Sequence, residues 1–256
     1  MSLQFAAITP HPPILIPGVG NKEDLTRVAD TTDAMKRVAS KFKEKEVETV
    51  LIITPHGENL GDNFNVYKAD CFTCSLPGAL MSFDGDPDLA KKISQLKGVK
   101  EIETGTLDHG SAVPLYFLKE KFSDFKVVPI SFSTKSRQAH LDFGKNLLEV
   151  IEQADKKIGV IASGDLSHKL TPFAPAGFSE AGKEFDQKLT NHIKNKESKE
   201  IIEMDEGLID EAGQCGYRSI LILLGLLQSV EYNPNLLSYE GPFGVGYAVA
   251  TYEFKS

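Results

Sequence analysis

Two short segments of this 256-residue chain repeat one pattern. Ile8-Thr9-Pro10-His11 and Ile53-Thr54-Pro55-His56 each end an apolar run with a histidine held by prolines, which fix the local backbone. A histidine in a loop is ordinarily satisfied by backbone groups. The duplication is what points to a shared task, the binding of one metal ion by two imidazoles. A third histidine, His168, closes Ser163-Gly164-Asp165-Leu166-Ser167-His168 after another β-branched run, and a fourth, His109, sits in Leu107-Asp108-His109-Gly110. His140 and His192 fall inside helical patterns among charged neighbours and are read as surface residues.

Two imidazoles rarely hold a divalent ion alone, so a third ligand is needed. Cys215, in Glu211-Ala212-Gly213-Gln214-Cys215-Gly216, precedes an apolar helical stretch, where a thiol is expected to have a lowered pKa. Glu240, in a Gly-rich turn, offers the alternative of a two-histidine, one-carboxylate set. Spacing does not choose between Cys215 and Glu240. Arg218 offers an anion contact for a substrate carboxylate, or a surface ion pair. Cys71-Phe72-Thr73-Cys74 is a lone CxxC and reads as alternating strand residues. Gly241, Gly244 and Gly246 precede a strand, not a helix, which argues against a phosphate cradle.

The elements that must deliver these side chains alternate along the chain. Phe5–Ile8, Val50–Ile53, Val127–Phe132, Ile158–Ala162 and Tyr247–Phe254 read as strands. Helical periodicity runs through Leu25 to Phe42, from the Asp86-Pro87 start through Leu96, and through Leu141–Ile151, Ala181–Ile193 and Ile220–Leu227. Such alternation predicts an α/β three-layer sandwich on a mostly parallel central sheet, in a single domain spanning 1–256. In such sheets ligands gather beyond the carboxyl ends of the strands, where the Thr-Pro-His segments lie. If the first two strands are adjacent, their imidazoles reach one site.

Composition narrows the partners. The chain is 41% hydrophobic and 25% charged, with a net charge of −8, which disfavours nucleic acid and anionic membranes. No apolar run is long enough to span a bilayer, no signal peptide is visible, and three cysteines cannot all pair. A reducing cytoplasmic location is the expectation.

At these motifs the chain resembles the class III extradiol ring-cleavage dioxygenases, the LigB-like superfamily. The resemblance covers nearly the whole chain. It rests on the His-Pro-Pro at His11, Thr-Pro-His-Gly at His56, Leu-Asp-His-Gly at His109 and Ser-Gly-Asp-Leu-Ser-His at His168. It rests also on Glu-Ala-Gly-x-Cys-Gly at Cys215 and on the ending Ser-Tyr-Glu-Gly-Pro-Phe-Gly-Val-Gly-Tyr. The last two look closest to the Memo-like branch. The resemblance implies Fe(2+) held by His11, His56 and a third ligand, His168 as acid/base, and His109 as a substrate-side hydrogen-bond partner, with a small aromatic substrate and O2. Where ring-cleaving members carry Glu, this chain carries Cys215, a softer donor that shifts preference toward Zn(2+), Cu or a differently poised iron. Three functions follow: an extradiol-type dioxygenase for a catechol-like aromatic, a Memo-like metal-binding protein in a redox or regulatory role, and a zinc-dependent hydrolase. Members of that branch are often encoded beside or fused to a small second domain absent from this sequence, so a separate partner domain or a homo-oligomer is also expected.

Overall fold

A computed structural model describes residues 1–58, 60–76 and 79–254 of the chain. The strands are β1 (Leu3–Thr9), β2 (Thr49–Thr54), β3 (Phe64–Lys68), β4 (Cys71–Leu76), β5 (Ala79–Gly85), β6 (Val99–Glu103), β7 (Lys126–Ser131), β8 (Ile158–Ser163), β9 (Tyr232–Glu240) and β10 (Tyr247–Phe254). The helices are α1 (Lys22–Arg27), α2 (Ala29–Glu44), α3 (Pro87–Ile93), α4 (His109–Lys119), α5 (Arg137–Glu152), α6 (Glu180–Asn195), α7 (Ser198–Ile202), α8 (Glu206–Glu211) and α9 (Tyr217–Leu227).

Among the described residues the strands form one sheet in the order β4-β5-β7-β2-β8-β1-β10-β9, with β3 pairing β6 and β7. Its centre, β5, β7, β2, β8 and β1, is parallel, and the hairpins β4-β5 and β9-β10 add antiparallel edges. All six residues of β2 and of β8 are buried, because helices cover both faces. Strand alternation divides two cores. Ala6, Ile8, Leu51 and Ile53 pack with α3, α5, α6 and α9, whereas Phe5, Ala7, Val50 and Ile52 pack with α2 and α4. Each such Val, Leu or Ile contributes roughly 1.5–3 kcal/mol relative to exposure. The three-layer architecture expected from the sequence is the one observed.

Four local expectations change. β1 and β2 are not neighbours, because β8 runs between them. The helix expected from Leu25 to Phe42 breaks at buried Val28, whose φ of −118° and ψ of 27° separate α1 from α2. His140 is not a surface residue. It is fully buried on α5, its ring nitrogens 2.8 Å from Ser136 O and 3.1 Å from Ser133 O, with its ring against Phe64. His192, also expected at the surface, is half-buried and pairs with Glu197 through Nδ1 at 2.7 Å. Cys71 and Cys74 alternate exposed and buried along β4, and both are free thiols.

Candidate metal centre

The centre is built at the carboxyl ends of the parallel strands. His11 follows β1, His56 follows β2, and Asp165 and His168 follow β8. Neighbouring strands lie about 4.8 Å apart, so β1 and β2, two places apart, leave a gap of about 10 Å that only long side chains bridge. The imidazoles close it: His11 Nε2 lies 3.0 Å from His56 Nε2. Cys215 Sγ lies 3.7 Å from His11 Nε2, and the donor atoms of His11, His56 and Cys215 all fall within 4.8 Å of one another.

Hydrogen bonding aims these donors. Ser163 Oγ donates to the carbonyl of Gly110 at 2.5 Å, so it accepts from His11 Nδ1 at 2.9 Å. That bond places the His11 proton on Nδ1 and leaves Nε2 with a bare lone pair. The backbone N–H of His11 donates to Asp165 Oδ1 at 2.9 Å. The β2 exit is held by Thr54 Oγ1, which accepts from His56 N at 3.2 Å and donates to Asp108 Oδ1 at 2.6 Å. Asp108 in turn caps α4 by accepting from Ser111 N. His109, the first residue of α4, stacks on His56 with ring centroids 4.3 Å apart.

Electrostatics favour neutral imidazoles. Burial and His109 push the His11 pKa down to about 3, and burial and His11 push that of His56 down to about 4. The thiol behaves otherwise than its position before α9 suggested. Burial, reinforced by the nearby Asp165 carboxylate, raises the Cys215 pKa far above its ordinary value. The helix terminus does not offset that desolvation, and Tyr217 N, in the first turn of α9, is already taken by Gln214 Oε1 at 2.7 Å. Two neutral nitrogens and one thiol fit a single transition-metal ion, which would displace the thiol proton on binding.

His168 stands beside this set. Its Nδ1 donates to the Gly213 carbonyl at 2.9 Å, since a carbonyl can only accept, so in the neutral ring the lone pair is on Nε2. That nitrogen lies 3.9 Å from Asp165 Oδ2. With His11, His56, His109, Phe243 and Tyr247, His168 lines a pocket of about 350 Å³.

Of the residues expected from sequence, His11, His56, Cys215, His109 and His168 are brought together, and two are not. Glu240 ends β9, where its Oε2 accepts from Thr31 N at 2.7 Å and from Thr31 Oγ1 at 2.5 Å. It thereby serves the first turn of α2, where a carboxylate meets unpaired N–H groups. Arg218 faces a separate recess, with its guanidinium 5.6 Å from the Phe132 ring centroid. Sequence reasoning missed Asp165. It is 5% exposed, burial raises its pKa to about 6, and its Oδ2 lies 3.9 Å from His11 Nε2. Its signal was available, because it stands three residues before His168 in the motif already singled out.

Comparison with known proteins places the chain among relatives. The family model described as the catalytic LigB subunit of aromatic ring-opening dioxygenase matches residues 5–250. Protein CA_C1420 of Clostridium acetobutylicum is 34% identical over 99% of this chain, which spans 58% of that relative's length. A 3,4-dihydroxyphenylacetate 2,3-dioxygenase of Escherichia coli is 27% identical over 80% of this chain and 83% of its own. A MEMO1 family protein of Methanobrevibacter smithii is 25% identical over 75% of this chain and 65% of its own. The crystal structure of an uncharacterized protein from Escherichia coli K12 shares the fold, with a TM-score of 0.69 at 17% identity, over 97% of this chain and 99% of that one. No helix among the described residues is long and apolar enough to cross a membrane.

Proposed function

Since the chain belongs to the family of catalytic LigB subunits of aromatic ring-opening dioxygenases, we propose that it is a metal-dependent oxygenase for a catechol-like aromatic. The observation that carries this reading is the convergence of His11, His56 and Cys215 donor atoms within 4.8 Å, beside the bare Nε2 of His168. A ferrous ion held by those three residues would supply the redox chemistry with dioxygen and the affinity for two adjacent hydroxyl oxygens.

The chain's own residues do the rest. The substrate ring enters the pocket against Phe243, Val245 and Tyr247, which limit water. His168 Nε2 accepts the proton of one substrate hydroxyl, because the Gly213 carbonyl fixes its tautomer. Asp165, 3.9 Å away, stabilises the resulting imidazolium, and His168 returns the proton to the opened product. His109, stacked on His56, reaches the same pocket and contacts the substrate's oxygens. The test is anaerobic loading with Fe(2+), followed by oxygen uptake on adding a panel of catechols. Uptake lost in His168→Ala but with iron retained is the expected result. Protein carrying one iron that consumes no oxygen with any catechol would remove this reading.

A second reading is favoured by Cys215 itself. A thiolate in place of a carboxylate binds Cu or Zn(2+) more readily than Fe(2+). In that case the chain is a Memo-like metal-binding protein in a redox or regulatory role, and the same experiment returns tight metal binding without ring cleavage.

A further inference from the structure

The residue expected to meet a substrate carboxylate, Arg218, lines a recess of about 470 Å³ that shares no lining residue with the pocket of His11, His56, His109 and His168. Pro55 and Cys215 line this recess and bring it next to the metal set, since Pro55 precedes His56 and the Cys215 thiol belongs to that set. The volume lies in the range of small-molecule sites, about 300–1,000 Å³.

Charge in this recess runs against that of the protein, whose net charge is −8. Lys135, Arg137 and Arg218 line it. Arg137 is committed to the fold: its guanidinium donates to the carbonyls of Ile202 and Met204 at 3.0 and 2.6 Å and lies 3.4 Å from Glu206. Lys135 and Arg218 are exposed and form no ion pair among the described residues. Among the described residues Asp210 is the one lining carboxylate without an ion pair, so two unpaired cations stand against one unpaired anion. The first turns of α5 and α9 also open here, through Ser136 and Arg137 and through Tyr217 and Arg218, and each adds the positive end of a helix dipole. Phe132, Pro55, Ile209 and Leu221 give the same recess apolar walls.

We propose that this recess is a second ligand site, for a small organic oxyanion with an apolar body, either a carboxylate or a phosphate ester. Lys135 and Arg218 hold the oxyanion, and Phe132 and Pro55 hold the body. The ligand then lies against Cys215 without entering the histidine pocket. The site does not depend on the metal or on ring cleavage, so either reading can fail while the other stands.

The test is titration calorimetry of metal-free protein at low ionic strength with benzoate, phenyl phosphate and inorganic phosphate. At least one organic anion binds at sub-millimolar concentration, and the Lys135→Ala/Arg218→Ala double variant binds it at least tenfold more weakly. Preference for benzoate identifies a carboxylate ligand, and preference for phenyl phosphate a phosphate ester. Arg218→Glu, checked for an unchanged unfolding temperature and unchanged metal stoichiometry, weakens binding at least as much as the double variant. Three results overturn the proposal: no organic anion bound by the wild-type chain, equal affinity in the variants, or inorganic phosphate bound as tightly as the preferred organic anion.

Discussion

The Nε2 atoms of His11 and His56 face each other at 3.0 Å, although the strands that deliver them are separated by β8. With pKa values near 3 and 4, neither ring is charged at neutral pH. Since His11 Nε2 is bare, His56 Nε2–H is left to donate across that gap, and a cation entering between the rings takes both nitrogens as the His56 proton moves to Nδ1. A metal that binds the folded chain and not the unfolded one stabilises it by about 2.7 kcal/mol at a hundred times its Kd. Chemical denaturation with and without a chelator is therefore expected to differ by that amount in the wild-type chain and not at all in His11→Ala. Equal chelator sensitivity in the two proteins would refute the ligand assignment.

Metal affinity carries a pH signature. Above pH 5 both ligand imidazoles are already neutral and release nothing on binding. Cys215, whose proton affinity is raised by burial, keeps its proton until the metal displaces it. Between pH 7 and 8.5, above the region where Asp165 titrates, affinity should tighten about tenfold per pH unit, one proton leaving per ion bound. Competition against a chromophoric chelator measures the slope. Cys215→Ser should flatten it, and a flat wild-type profile would mean that the thiol is not a ligand.

The identity of the third ligand should also set metal choice. Cys215→Glu changes the donor set to two histidines and a carboxylate, the combination suited to Fe(2+) and oxygen chemistry. Elemental analysis after equal exposure to Zn(2+) and Fe(2+) should show the iron share rising in this variant, with oxygen uptake on catechol rising with it. An unchanged metal ratio would show that the histidines and the pocket, not residue 215, decide selectivity.

Asp186 gives a stability prediction remote from the metal set. It is buried on α6, where it accepts from Ser167 N at 2.8 Å and from Tyr239 Oη at 2.7 Å, tying the β8 exit to β9. Burial raises its pKa from 3.8 to about 6 despite those bonds. The folded state thus binds a proton that the unfolded state has released between pH 4 and 6, so this group lowers stability as pH rises through that window. Asp186→Asn removes the titration, and the stability difference between variant and wild type should move in the variant's favour by up to about 3 kcal/mol from pH 4 to pH 7. Parallel pH profiles of the two proteins would contradict this.

Much of the site was legible because its chemistry is written locally. Thr-Pro-His occurs at two strand exits, and a parallel sheet sends both exits to one edge. What sequence could not give was strand order. β8 is distant in sequence from β1 and β2 yet lies between them, and that placement makes Ser163 the partner of His11 Nδ1 and brings Asp165 under the cluster. Glu240 was misplaced for the same reason: its Gly-rich turn suggested a loop ligand, but only the tertiary arrangement shows Thr31 waiting for its carboxylate. The thiol pKa was misjudged because a helix terminus is visible in sequence and burial is not.

The approach of the Cys215 segment to β8 rests on two glycines. A Cβ on Gly164 would run into the backbone of Gly216, and one on Gly216 would meet Gly164 at about 3.0 Å. This close contact lets Asp165 O accept from Gly216 N at 3.0 Å while Asp165 N donates to Cys215 Sγ at 3.3 Å, fixing the thiol beside His11. Backbone cannot yield as a flexible side chain can, so Gly164→Ala should push residues 215 and 216 away from the strand exit. Overpacking of this kind costs about 1–3 kcal/mol. Metal affinity should fall at least tenfold in the same variant, because Sγ leaves the reach of the two imidazoles. Cys215→Ser separates the two effects, since it should weaken metal binding with little change in the stability of the metal-free protein. Gly164→Ala that kept both its stability and its metal would show that the thiol is not held in place by this contact.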